Sequence, residues 1–378
     1  EAVQIILAQT YSNFELLLID NHADTSTVSI AKEFASIDLR LQIIHENTSG
    51  ISHALNTGIR AAKGELIARM DADDIAHPER IMKQVEQLIR NPDTGVVSCR
   101  TTLFPENENN KGFREFISWQ NSLLNADAHR LARFIESPLA HPAVLMRKNL
   151  FDTYGLYSTG NLPEDYELWL RLMDHGVKFE KLPEVLLHWR DRPERLSREH
   201  SNYHEAGFTA VRSHYLARFL SKFSDKKIVV CGSSKNIHSK IKVLEQEGVM
   251  IHGVTDVNEH NGNRRIFIPI EELSPSHNYF IINLIARRDL RQPIRELLES
   301  KGFVEGNDFL INRVWALCSG LTGVQIFFTI SGFLITRILS LEKIKKGRIN
   351  FVHFYIRRFI RLLPALILFY LLFLFFIS

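Results

Sequence analysis

The residues with the greatest chemical potential are the carboxylates in Asp71-Ala72-Asp73-Asp74. Two acids separated by one residue at a strand end can hold a hard divalent cation, and Mg²⁺ or Mn²⁺ bound in this way completes its shell with substrate phosphates. A nucleotide-sugar diphosphate would be such a substrate. The alternative is that Asp73 and Asp74 are loop acids, one of them capping the helix that Pro78 opens. Asp20, followed by Asn21, closes the apolar run from Phe14 to Ile19. Asp165 follows Pro163 and starts a helical pattern through Leu168 and Leu172 to Gly176. A carboxylate there can act as a general base towards a hydroxyl, or it can simply complement the helix dipole. Arg190 and Arg198 could clamp phosphate or be surface charges. Cys99, Cys231 and Cys318 are odd in number and far apart, so they suggest neither a disulfide framework nor a zinc pattern, and a reducing compartment is the default.

Alternating elements must position these acids. The spacing predicts a helix ending near Gln9, a strand from Phe14 to Ile19, a helix over 25–36, a strand from Leu41 to Ile44 and a helix from Ile51 closed by Gly64. A strand from Glu65 to Met70 then runs into the Asp71–Asp74 cluster, and Ile81, Val85, Leu88 and Ile89 repeat at helical spacing until Asn91-Pro92. This alternation argues for an α/β fold with a mainly parallel sheet, whose ligands gather at the carboxyl ends of the strands. After Ser221 to Asp225 a smaller α/β unit begins, with strands expected at 227–232, 250–254, 279–285 and 309–311.

The chain has 378 residues, enough for two or three domains; its 45% hydrophobic and 24% charged composition excludes a chain that is disordered, collagen-like or a polytopic membrane protein along its whole length. A net charge of +3 gives no case for nucleic acid as partner. That mean conceals two parts. Residues 315–378 carry eight Lys/Arg against Glu342, which leaves the body with 38 basic and 42 acidic residues, net −4. No charge occurs from Trp315 to Thr336, and a second apolar run spans Leu362 to Ser378. Two membrane spans with a cytosolic basic loop are the expectation.

The first 200 residues resemble the family-two glycosyltransferases of GT-A fold. The matching residues run in family order: Gln9-Thr10-Tyr11, Phe14-Glu15-Leu16, Asp20, Glu46-Asn47, Gly50, Ala54, Asn56, Gly58, Ala62, Gly64-Glu65, Asp71 to Asp74, His141-Pro142, Met146-Arg147, Glu164 to Arg171 and Leu196-Ser197-Arg198. The resemblance implies donor contacts from Asp20, Asn21, Asp71 and Arg198, a Mg²⁺ or Mn²⁺ ion on Asp73, and Asp165 as the general base of an inverting transfer. UDP-sugar is the implied donor and a glycan or lipid-linked glycan the acceptor, although Asn21, where an acid is usual, leaves the nucleotide open. It also implies a strand before Glu1 that this sequence does not contain, and hence a weak or inactive transferase.

The smaller unit resembles Rossmann-like modules appended to sugar-modifying enzymes. Only Gly232 of a dinucleotide fingerprint is present, which favours a structural or regulatory role. Gly323-Val324, Phe327-Phe328, Ile330 to Thr336, Phe354-Tyr355, Arg357-Arg358, Arg361 and Pro364 resemble the start of the integral-membrane acyltransferases that O-acetylate bacterial surface glycans. The resulting expectation is a GT-A domain over 1–220, a Rossmann-like module over 226–313 and a membrane hairpin over 315–378, at the bacterial inner membrane with the body on the cytoplasmic side. A membrane O-acyltransferase fragment with a sugar-binding head, or a non-catalytic remnant, are the alternatives.

Overall fold

The computed structural model describes residues 1–104, 111–191, 203, 205–232, 235–256, 265–285 and 287–312. From the start, α1 (Ala2–Leu7) leads to β1 (Leu16–Asp20), α2 (Thr25–Ile37), β2 (Leu41–His45), α3 (Ile51–Ala61), β3 (Leu66–Ala68) and β4 (Ile75–Ala76). Next come α4 (Arg80–Arg90), β5 (Thr94–Phe104), α5 (Lys111–Ser122), α6 (Ala126–Ala132), β6 (Leu145–Arg147), α7 (Asn149–Tyr154), α8 (Glu164–Asp174) and β7 (Lys178–Arg190). The remainder is α9 (Glu205–Leu220), β8 (Lys227–Cys231), α10 (Lys235–Gln246), β9 (Ile251–Thr255), β10 (Tyr279–Asn283), α11 (Arg291–Ser300) and β11 (Phe309–Ile311). Local chemistry accounts for several boundaries. Asp24 caps α2 by accepting from Thr27 N at 2.9 Å, and Asn125 caps α6 by accepting from Ala128 N at 2.9 Å.

The site-bearing sheet has the order β3-β6-β5-β7-β4. Only β5 and β7 run parallel; β3–β6, β5–β6 and β4–β7 are antiparallel. The expectation of a mainly parallel sheet is therefore corrected for this layer. A strand buried on both faces reads as the same apolar run in either direction, and β6, with three residues, carries no periodicity of its own. Successive residues of β5 feed opposite layers. Val96 packs with Met146, Leu168, Trp169 and Phe179, while Val97 packs with Val85, Leu88 and Leu145 on the α4 side. β1 and β2 form their own parallel pair, with every residue of β1 only half-buried.

A second sheet, β11-β10-β8-β9, is parallel throughout. Its core is continuous with the helices before it: Phe219 on α9 meets Phe223 and Phe280 edge-on, and Tyr166 and Leu170 of α8 share a cluster with Val230 and Ile282. No break in packing falls between residues 220 and 226, and Glu1 to Trp315 forms one compact unit. The two apolar runs expected to span a membrane lie outside the described residues. Among the described residues no helix is long and apolar enough to cross a membrane.

Candidate active site

The Asp71–Asp74 loop links β3 to β4, at opposite edges of the sheet, and is shaped by two arginines. Arg69, one residue past β3, grips the Asp71 carboxylate with both terminal nitrogens, at 2.7 and 2.5 Å. Such a fork fixes the carboxylate's plane as well as its charge. The main chain of Arg69 is held in turn by Val144 O at 3.1 Å and by the fully buried Arg80, which also donates to Pro142 O at 2.6 Å. At the end of β7, Arg190 donates from its main-chain N to Asp74 Oδ1 at 2.8 Å. One oxygen each from Asp71, Asp73 and Asp74 lie within 4.8 Å of one another. Asp74 is buried, and its Oδ2 has no partner among the described residues. Burial, with the charges of Asp71 and Asp73, pushes its carboxyl up to about 7.

A second acidic pair opens α8. Glu164 is 2% exposed, and the Tyr203 hydroxyl lies 2.8 and 2.7 Å from its two oxygens. His141 approaches it at 3.9 Å and bonds Tyr157 Oη through Nε2 at 2.8 Å. Burial, reinforced by the charge of Arg69, holds His141 well below its ordinary range, so this approach is that of a neutral imidazole and not an ion pair. Asp165 is half-buried and accepts from Tyr166 N at 2.7 Å. Burial and the neighbouring Glu164 raise its carboxyl, while Arg69 opposes the rise. Arg69 opposes it at Asp74 and Glu164 too, so one cation lies within electrostatic reach of both acidic groups.

Asp20 ends β1, accepts from Ala23 N at 3.0 Å and meets His45 at 3.1 Å; the Ala23 amide first, then His45, hold it below the usual carboxylate range. The Asn21 amide donates to Glu46 O and Thr48 O and accepts from Gly50 N, which occupies it in shaping the 46–50 loop. Arg198 lies outside the described residues. Among the predicted site residues, then, Asp71 and Asp73 form one cluster with Asp74, Arg69 lies within electrostatic reach of that cluster and of Asp165, and Asp20 and Asn21 form a separate strand-end group. Sequence reasoning missed Arg69 and Glu164. Arg69 stands two residues from Asp71, the spacing that shares a face on an extended strand, which was the available signal.

The family model described as "Glycosyl transferase family 2" matches residues 1–155. The O-antigen biosynthesis glycosyltransferase WbnJ of Escherichia coli is 29% identical over 225 residues, 59% of this chain and 85% of the relative. The amylovoran biosynthesis glycosyltransferase AmsE of Erwinia amylovora is 30% identical over 188 residues, 50% of this chain and 68% of the relative. Among solved structures, S. aureus TarS 1–349 in complex with UDP-GlcNAc matches 65% of this chain and 75% of its own at 14% identity, with a TM-score of 0.44. On the strength of the family model and the AmsE match, the chain belongs to glycosyl transferase family 2 and is a glycosyltransferase.

Proposed function

We propose that this glycosyltransferase moves a sugar from a nucleotide-sugar donor to a surface-polysaccharide or lipid-linked glycan acceptor with inversion, using Asp165 as base and a divalent cation at Asp73. The observation that carries the reading is that Arg69, which grips Asp71, lies within electrostatic reach of both Asp74 in the Asp71–Asp73–Asp74 cluster and the raised Asp165, while the charge of Asp71 reaches Glu164 beside Asp165. The names of relatives point to the same pathway: WbnJ in O-antigen synthesis, AmsE in amylovoran synthesis, and an Escherichia coli relative, 28% identical, named as a UDP-Gal:alpha-D-GlcNAc-diphosphoundecaprenol beta-1,3-galactosyltransferase. Attachment to the cytoplasmic face of a membrane through residues 315–378 belongs to the same proposal and rests on their apolar runs and basic loop.

The acceptor oxygen forms a bond to the anomeric carbon as the bond from that carbon to the diphosphate breaks on the opposite face. Asp165 takes the hydroxyl proton; its raised carboxyl suits a group that must ionise near neutral pH and then hold a proton. Asp73, flanked by Asp71 and Asp74, offers the hard oxygen ligands that Mg²⁺ or Mn²⁺ takes, and the orphaned Asp74 Oδ2 fits that set. A bound cation supplies charge neutralisation for the departing diphosphate. Arg69 holds Asp71 in one orientation towards the donor.

The test supplies UDP- and GDP-sugars with Mn²⁺ and a diphosphate-lipid acceptor, and follows nucleoside diphosphate release and glycan mass. Asp165→Asn should lower kcat by roughly 10²- to 10⁴-fold with donor KM little changed. Asp73→Asn should abolish Mn²⁺ binding seen by loss of the free-ion EPR signal. Full turnover in Asp165→Asn would remove the base assignment.

A further inference from the structure

Away from the acidic site, polar side chains are buried at the carboxyl ends of β10 and β11, between α9 and α10. Arg212 on α9 is 2% exposed, Asn312 directly after β11 is 0% exposed and Lys240 on α10 is 7% exposed. They line a cavity of about 10 Å³ for the centre of a water-sized sphere, with Thr209 and Ser213 adding hydroxyls. Among the described residues, Arg212 Nη1 and both side-chain amide atoms of Asn312 have no hydrogen-bond partner. Arg212 is otherwise engaged through Nε, 3.3 Å from the Tyr166 hydroxyl, and no carboxylate lines the cavity among the described residues.

A buried guanidinium without counter-charge is strongly disfavoured. The groups around the cavity are mostly donors: guanidinium, amide N–H and two hydroxyls, with the Lys240 ammonium, which also donates to Leu284 O at 3.4 Å, adding positive charge. That set is the coordination shell of an anion. The cavity has room for about one water-sized particle, which excludes phosphate esters and nucleotides and selects a monatomic ion. Its place at the carboxyl ends of parallel strands is where α/β sheets gather ligands. We propose that this cavity binds one small inorganic anion, chloride under ordinary ionic conditions, held by Arg212, Asn312 and Lys240. The ion joins α9 to the second sheet and completes the shell of Arg212, whose other contact, Tyr166, neighbours Asp165 on α8.

The test uses the full chain in sodium gluconate, whose anion is too large to enter, with NaCl replacing it at constant ionic strength. The thermal midpoint should rise saturably, by about 3 °C at ten times the half-saturating concentration. Strongly hydrated, excluded anions raise midpoints without any site, so a gain on passing from gluconate to chloride reports binding. Arg212→Met should lose the chloride response while its midpoint in gluconate stays at or above that of the wild type. Asn312→Leu, the second variant should Arg212→Met fail to fold, should need at least fivefold more chloride. A wild type indifferent to chloride, meaning an ordered water only, overturns the proposal, as does a response undiminished in both variants.

Discussion

Arg190 Nε donates to the main-chain oxygen of Asp73 at 2.5 Å, joining residues 117 apart in the chain. The same guanidinium lies 4.9 Å from the centre of the Phe104 ring, and the Arg190 main-chain N serves Asp74. The end of β7 thus sets the shape of the acidic loop. Arg190→Gln should raise the half-saturating Mn²⁺ concentration about tenfold or more, in line with the cost of losing groups that orient metal ligands. Arg190→Lys should recover part of that loss, since an ammonium can still reach the carbonyl. Mn²⁺ titration by EPR measures both, and an unchanged affinity in Arg190→Gln would show that the loop keeps its shape without the tether.

Glu164 raises the carboxyl of Asp165 through its charge. In Glu164→Gln that charge is gone while hydrogen bonding to Tyr203 remains available. In its proposed role of base Asp165 works ionised, so lowering its pKa moves the acid limb of the kcat profile to lower pH. The expected outcome is that shift, with kcat at its optimum within about tenfold of wild type. A limb that stays in place would mean that Glu164 is neutral throughout the working range.

Lys181 on β7 is buried, and its ammonium donates to the carbonyls of Gln120 and Pro138. Burial pulls it down to about 7 from its ordinary 10.5. Between these values the unfolded chain binds the proton that the folded chain has released, so stability rises with pH across that window. The slope from pH 7 to 9 should approach about 1.4 kcal/mol per pH unit and flatten in Lys181→Met, as read by urea unfolding. His129, pushed down to about 3 by burial and by Lys181, acts on the acid side. Stability should fall as pH drops below about 6.5, where the unfolded imidazole charges first.

Asn56 on α3 clasps Tyr157 from both sides, with Nδ2 to its carbonyl and Oδ1 to its N–H, each at 2.9 Å. All four groups are buried. Asn56→Ala leaves two main-chain groups unpaired and should cost about 2–4 kcal/mol in urea unfolding. Asn56→Asp retains the acceptor and should lose less at low pH, where it is neutral. Because Tyr157 carries the hydrogen bond to His141, the alanine variant should also lower kcat.

Much of the fold is legible in local patterns. The period of Ile81, Val85 and Leu88 locates the buried face of α4, the apolar run before Asp20 locates β1, and the four strands of the second sheet fall within a few residues of their expected places. These signals are local because alternation, breakers and caps act over one turn or one strand. The acidic cluster and the acid at the start of α8 are legible for the same reason, each being a short run of residue types.

What the sequence by itself determined is therefore the elements up to α4, the start of α8 and the strands of the second sheet, together with the family pattern and the acids proposed to carry the chemistry. Tertiary structure alone decided the antiparallel entry of β6, the fork of Arg69 on Asp71, the tether from Arg190 to Asp73 and the use of the Asn21 amide to hold a loop. Each of these depends on partners brought together by core packing, and no periodicity encodes which of several arginines reaches a given carbonyl. The proton affinities of Asp74, Asp165 and Lys181 follow the same logic: composition supplies the groups, and burial in a packed interior shifts them.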